Sequence, residues 1–383
     1  MVDKILIVDD IPANLRLLSQ ILHERGYDVR AVSSGSRALA SIETDPPDLL
    51  LLDIRMPGIN GYEVCLQLKE KPQLQDIPVL FISALDDIED KMTAFSSGGV
   101  DYITKPFQIE EVIARVETHL SLRKLQRRLQ EANQRMAAEL QLAATVQASM
   151  MRRHLPSIPG WQLAVNLTPA KMICGDFFDA FRLADGKIAI LIADVVDKGV
   201  GAALYMSMSC ALLRTYVMEY PANPEQVFKV VNDRILADTA TEQFVTVFLG
   251  ILDPLSGELL YSNAGHNPPL LLRNDPEESL ELLDNTGTVL GILEDQVWYP
   301  RTARLNPGDL LVLYTDGIPD AENEAGSFFG MERLMDCVRA QRRESAEDVQ
   351  HALVAAIDSF TGSAEQFDDI AMLILKREAP PEG

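Results

Sequence analysis

Two groups of carboxylates stand where residue type and spacing could do chemistry. The first is the pair Asp9-Asp10 together with Asp53, which close the apolar runs Ile5 to Val8 and Leu49 to Leu52. Three acidic groups within reach of one point repel unless a hard cation lies among them, so this trio predicts a Mg²⁺ site. Ser83 and Lys105 close two further apolar runs, and a hydroxyl beside an ammonium suits the oxygens of a phosphoryl group on Asp53. The second group is Asp176, Asp194, Asp316 and the pair Asp368-Asp369, each at a turn or strand end. An all-oxygen donor set favours Mg²⁺ or Mn²⁺ over zinc, and two such ions about 3.5–4 Å apart would supply an activated water for in-line attack on a phosphoester.

The elements that must position these groups follow from pattern. Lys4 to Asp9, Asp28 to Val32, Leu49 to Asp53, Val79 to Ala84 and Tyr102 to Pro106 read as strands alternating with helices. Continuous apolar strands of this kind belong to a parallel sheet covered on both faces, a doubly wound α/β domain over residues 1–121. Open sheets of that class bind ligands at the carboxyl ends of their strands, where Asp9, Asp10 and Asp53 fall.

From Leu122 to Met150 there is neither Gly nor Pro. Leu122, Leu125, Leu129, Ala132, Met136, Leu140, Ala143, Gln147 and Met150 follow 3-4 spacing with one extra four-residue step after Met136. That pattern predicts a helical coiled-coil linker over 122–155 with a stutter, the alternative being a single amphipathic helix lying on one domain. Arg123, Lys124, Arg127 and Arg128 lack interleaved aromatics and read as a solvated face.

Pro156 and Pro159 open a further domain over 156–378. Strands are expected at Leu163 to Ala170, Lys187 to Val195, Val245 to Asp253, Glu258 to Ala264, Asp309 to Asp316 and Asp369 to Lys376. Helices are expected at Gly201 to Tyr220, Pro224 to Thr239, Met331 to Gln341 and Ala346 to Phe360, which together suggest an α+β sandwich. Residues 379–383 read as a disordered tail.

Composition narrows the partners. The chain has 383 residues, 47% of them apolar, enough for two cores, and its net charge of −23 opposes contact with nucleic acid or an anionic membrane. Cys65, Cys174, Cys210 and Cys337 form no Cys-x-x-Cys pair, which argues for reduced thiols in a cytoplasm. No targeting or membrane-spanning segment is expected.

Residues 1 to about 120 resemble the bacterial response-regulator receiver family, a flavodoxin-like fold. The resemblance rests on Asp9-Asp10, Asp53-x-x-Met-Pro-Gly, Ser83 and Lys105-Pro106 in order. It implies that Asp53 is the phosphoacceptor and that Asp9, Asp10 and Asp53 bind Mg²⁺ with the carbonyl of Arg55. Ser83 and Lys105 would sense the phosphoryl group, and Tyr102 matches the aromatic that rotates on activation. A cognate histidine kinase or phosphotransfer protein is the implied partner.

Residues 140–378 resemble the PPM, or PP2C-like, phosphatases of the sporulation and stress-regulator (SpoIIE/RsbU) type, an αββα sandwich. The markers are Glu139-Leu-Gln-Leu-Ala, Cys174-Gly-Asp-Phe-Phe-Asp179, Asp194-Val-Val-Asp-Lys-Gly-Val-Gly-Ala-Ala203, Ser262-Asn-Ala-Gly-His-Asn-Pro268, Tyr314-Thr-Asp-Gly317 and Asp368-Asp-Ile370. The implied roles are Asp176 and Asp194 bridging two Mn²⁺ or Mg²⁺ ions, Val195 supplying a carbonyl, and Asp316 and Asp368 completing the second ion's shell, with Asp369 an alternative within its pair. The implied substrate is a phosphorylated anti-sigma-factor antagonist, dephosphorylated at serine or threonine. Cys174, Val196-Asp197 and Ala371 depart from the family's usual Gly, Ser-Gly and Thr.

Three other readings are weaker. Cys337 and Arg343 have the spacing of a thiolate phosphatase, but no Gly lies between them. His266 reads as structuring its turn, and Gly199-Val-Gly201 as the start of a helix. The expected whole is a receiver-controlled phosphoprotein phosphatase, homodimeric through its linker. The competing reading is a noncatalytic adaptor binding a sigma-factor pathway partner.

Overall fold

A computed structural model describes residues 2–83, 88–150, 155–239, 243–274 and 280–379. Ala84, His154 and residues 380–383, on which some expectations fall, lie outside the described residues. The chain divides into two compact units, 1–136 and 137–383.

In the first unit β1 (Lys4–Val8), α1 (Pro12–Glu24), β2 (Asp28–Val32), α2 (Gly35–Thr44), β3 (Leu49–Asp53), α3 (Gly61–Lys69), β4 (Val79–Ser83), α4 (Ile88–Ser96), β5 (Asp101–Thr104) and α5 (Ile109–Met150) alternate. The strands form one parallel sheet in the order β2-β1-β3-β4-β5. Every residue of β3 and β4 is buried, because apolar layers cover both faces of the sheet. Asn60 and Glu63 form a reciprocal cap that starts α3 beyond the Asp53 loop.

Helix α5 differs from the expected linker in where it begins. Its first turns belong to the sheet domain, with Val112, Val116 and Leu120 buried on it. Arg123 Nη1 donates to Pro47 O at 2.8 Å and Lys124 Nζ to Asp3 at 2.6 Å, so these two cations tie the helix to the first unit. The helix then runs on without a break because nothing in the sequence stops it. Leu122, Leu125, Leu129 and Met136 are all at least half exposed along it. Gln147, expected on the same seam, is instead buried within the second unit.

The second unit contains β6 (Trp161–Thr168), β7 (Phe177–Arg182), β8 (Ile188–Val195), α6 (Val200–Glu219), α7 (Pro224–Asp238), β9 (Val245–Leu252), β10 (Glu258–Ala264), β11 (Leu270–Leu272), β12 (Glu281–Leu282), β13 (Arg301–Arg304), β14 (Leu310–Tyr314), α8 (Gly330–Ala340), α9 (Ala346–Thr361) and β15 (Ile370–Arg377). Two antiparallel sheets, β13-β10-β9-β8-β7 and β12-β11-β14-β15-β6, face each other across Ile190, Phe248, Leu313 and Leu373. Helices α6 and α7 cover the outer face of one sheet and α8 and α9 that of the other. This is the expected four-layer αββα sandwich. β7, β11, β12 and β13 were not anticipated, being short or polar in alternation.

By length and composition α6 could cross a membrane. One face of it serves the core, where Ala202, Met206, Leu213 and Val217 are buried against the first sheet, while Val200, Leu204 and Met218 are exposed.

Candidate functional site

In the first unit the parallel sheet brings Asp9, Asp10, Asp53 and Lys105 together. One oxygen from each of the three aspartates lies within 4.8 Å of the others, and Asp9 and Asp53 are buried. Lys105 Nζ donates to Asp9 Oδ2 at 2.9 Å and to Asp53 Oδ1 at 3.0 Å. The Lys105–Pro106 peptide is cis. Asn14 Nδ2 also donates to both Asp9 oxygens, at 3.1 and 2.9 Å, a contact the sequence pattern did not suggest. One ammonium cannot offset three carboxylates: burial, and then Asp9 and Asp10, push the Asp53 carboxyl up despite Lys105. Burial opposes the charge on Lys105, yet its bonds to Asp9 and Asp53 hold its pKa above the ordinary lysine value. A divalent oxygen-seeking cation fits this excess of negative charge.

Around this cluster, Ser83 ends β4 and is buried. Arg55 lines an open cleft with Asp10, Met56, Asn60 and Tyr62. Tyr102 lies on β5, its ring edge-on to Phe95 at 6.3 Å and beneath the Arg115 guanidinium at 5.6 Å.

In the second unit the facing sheets present the other carboxylates at one end. Asp176 precedes β7, Asp194 lies near the end of β8, Asp316 follows β14 and Asp368-Asp369 precede β15. Antiparallel pairing of β7 with β8 and of β14 with β15 carries these four chain ends to the same edge. A side chain on Gly317 would run into the Asp369 carbonyl oxygen, so only glycine lets the Asp316 turn approach that close. A side chain on Gly175 would meet Val195 O at 3.2 Å, which places the expected carbonyl beside the Asp176 turn.

The electrostatics follow from crowding. Burial, and then Asp194, push Asp176 well above the carboxylate range. Burial, with Asp368 and Asp369 nearby, raises Asp194. Burial, Asp194 and Asp368 lift Asp316 to about 7. Asp176 Oδ2 is buried without a hydrogen-bond partner, an orphaned oxygen that a cation would satisfy. The donor set therefore fits hard divalent ions.

Asp368 and Asp369 do different things. Asp369 is buried and accepts from Ala170 N and Gly175 N, both at 2.8 Å, so it braces the loop that carries Asp176. Asp368 stays partly open and pairs with Lys198 at 2.9 Å.

Gln147 went unrecognised as a support in the sequence, whereas His266 reads there as structuring its turn. Gln147 grips Cys174 through two hydrogen bonds, although its periodic position suggested a seam. His266, fully buried, bridges Thr246 Oγ1 at 2.8 Å and Tyr314 O at 3.1 Å. It thereby links the strand paired with β8 to the one leading into Asp316. Burial lowers the imidazole to about 4, and the neutral ring donates from Nε2 to the Tyr314 carbonyl. Gly199 caps α6 as expected, and Cys337 lies on α8, which rules out a phosphate loop there.

Comparison with known proteins agrees with both halves. Residues 184–378 match the family model described as Stage II sporulation protein E (SpoIIE), and residues 5–117 match that of the response regulator receiver domain. Protein IcfG of Synechocystis sp. is 32% identical over 268 residues, which cover 62% of this chain and 41% of IcfG. The chain thus spans less than half the length of that relative. The SiaA-PP2C domain of Pseudomonas aeruginosa shares the fold, with a TM-score of 0.58 at 21% identity over 64% of this chain and 98% of that one. The RsbU and RsbW domains of Rv1364c from Mycobacterium tuberculosis superpose with a TM-score of 0.50 at 26% identity, covering 60% of this chain and 64% of that one.

Proposed function

Because the chain belongs to the Stage II sporulation protein E family and carries a response regulator receiver domain, we propose that it is a metal-dependent serine/threonine phosphoprotein phosphatase controlled by phosphorylation of Asp53. The observation that carries this reading is the convergence of Asp176, Asp194, Asp316 and Asp368 on one sheet edge, with a buried Asp176 oxygen left unpartnered.

In this reading Asp176 and Asp194 would hold two Mn²⁺ or Mg²⁺ ions, the Val195 carbonyl would add an oxygen, and Asp316 and Asp368 would complete the ligands of the second ion. Bound ions supply positive charge and an acidified water for phosphoester hydrolysis. Asp369 orients the Gly175-Asp176 turn, and His266 sets the spacing of the strands behind Asp194 and Asp316. In the receiver, Asp9, Asp10, Asp53 and the Arg55 carbonyl would hold Mg²⁺. The Asp53 carboxylate takes a phosphoryl group from a histidine kinase or phosphotransfer protein, and Lys105 and Ser83 receive its oxygens. Tyr102 responds to that change.

By analogy with the RsbU-type domains, the substrate is a phosphorylated anti-sigma-factor antagonist in the cytoplasm, and the working unit is a homodimer joined along α5. The test is turnover of p-nitrophenyl phosphate and of a phosphoserine protein by the full chain with Mn²⁺ or Mg²⁺. Chelator should abolish it, as should Asp194→Ala. Asp53→Asn should abolish labelling by acetyl phosphate while leaving the fold intact. Absence of turnover with any metal and phosphoprotein would favour a noncatalytic adaptor.

A further inference from the structure

Lys198 sits in the loop between β8 and α6, and its ammonium reaches the loop that leads into β15. Nζ lies 2.9 Å from Asp368 Oδ2, donates to Phe367 O at 2.6 Å and stands 3.7 Å from the centroid of the Phe367 ring. Ionic, hydrogen-bonding and cation–π contacts thus converge to hold a single cation on a single carboxylate. Both side chains are less than a third exposed, so water only partly screens the pair. The same carboxylate raises Asp194 and Asp316, and so belongs electrostatically to the cluster.

We propose that Lys198 is a built-in competitor for the metal ion on Asp368. The proposal rests on reading this cluster as a two-ion site. An ion coordinated by Asp368 at about 2.1 Å would stand roughly 5 Å from Nζ. A unit charge and a divalent ion at that distance repel enough to weaken binding roughly five- to tenfold, even with the screening of water and salt. Loading the ion therefore favours release of the ammonium from Asp368, which removes its tie between the Lys198 loop and the Phe367 loop. Lys198 makes occupancy of this position depend on the arrangement of two loops; the same ammonium also acts on Asp194, without the direct contact it makes with Asp368.

The test is Mn²⁺ titration of the full chain, with free Mn²⁺ read by its electron paramagnetic resonance signal. The binding event lost in Asp368→Asn marks the ion in question. Lys198→Met and Lys198→Gln should each tighten that event about five- to tenfold. Lys198→Arg, which keeps the charge, should leave it within about twofold. An event that appears only in the neutral variants would be the extreme form of the same competition. Unchanged or weaker Mn²⁺ binding in both neutral variants, with wild-type circular dichroism, overturns the proposal while leaving the two-ion reading intact. If neither wild type nor the neutral variants show an event that depends on Asp368, both fail together.

Discussion

The side chain of Gln147 holds both polar groups of Cys174: Nε2 donates to Cys174 O at 2.7 Å, and Oε1 accepts from Cys174 N at 3.0 Å. Cys174 precedes Gly175, whose amide is held by Asp369, and Gly175 precedes Asp176. The last turns of α5 are therefore joined to the candidate metal loop by buried hydrogen bonds and three consecutive residues.

Gln147→Ala should strand a buried N–H and a buried C=O on Cys174, at a cost of about 1–3 kcal/mol per unsatisfied group. Turnover should fall at least tenfold with the second unit still folded, because the Asp176 loop loses its anchor. Thermal unfolding and p-nitrophenyl phosphate hydrolysis measure the two effects. Wild-type values in both would mean that the loop is held without Gln147.

Asp197 adopts a φ of 75°, left-handed territory that favours glycine, at the position where the family usually has one. Asp197→Gly should relieve about 0.5–1 kcal/mol of strain and raise the melting temperature of this unit by about 1–4 °C. Calorimetry decides the sign. A lower melting temperature would show that the Asp197 carboxylate makes a stabilising contact that outweighs its backbone.

Much of the architecture was legible because it rests on local pattern. The buried runs of β3 and β4, the antiparallel strands β8, β9, β14 and β15, and helices α6 to α9 all fall within two residues of expectation. The two carboxylate clusters were legible because aspartate at a strand end has few structural reasons to recur in that order. Other features depend on long-range contact. Gln147 fits a heptad as well as a core, and only its approach to a loop 27 residues away decides between them. Lys198 lies within a recognised motif, but its partner is 170 positions distant. The boundary between receiver and linker left no trace either, since a helix that serves the sheet domain and then runs on carries no stop signal at residue 121.

His266 gives a pH-dependent expectation. Burial holds the folded-state pKa near 4, below the ordinary value of 6.5, so between these limits the unfolded chain binds a proton that the folded chain does not. Stability from this residue is therefore fully present above about pH 6.5 and is lost as pH falls toward about 4, by up to roughly 3 kcal/mol. His266→Asn should be less stable than wild type at pH 8, and that deficit should shrink steadily on acidification. Denaturant unfolding of both proteins across this range isolates the histidine, because other titrating groups are common to the two. A constant deficit would mean that the ring has the same pKa in the folded and unfolded chain.

The last expectation concerns how the first unit could act on the second. Leu122, Leu125, Leu129 and Met136 stand at least half exposed along α5, a stripe that a second copy in parallel would cover. Leu129→Asp should place a charge in that seam, so sedimentation should show monomers, and phosphorylation of Asp53 should no longer change turnover. The extra four-residue step after Met136 gives the seam two neighbouring registers of similar energy. Each residue of helix turns about 100°, so deleting residues 137–140 shifts everything beyond them by about 40° past a full turn and should lock one state. Gln147 lies beyond that point, and rotating it would pull on Cys174 and through it on Asp176. A locked variant should thus show constant turnover whether or not Asp53 is phosphorylated. If phosphorylation changes turnover by the wild-type factor in both variants, α5 is a passive tether and the signal must travel through direct contact between domains.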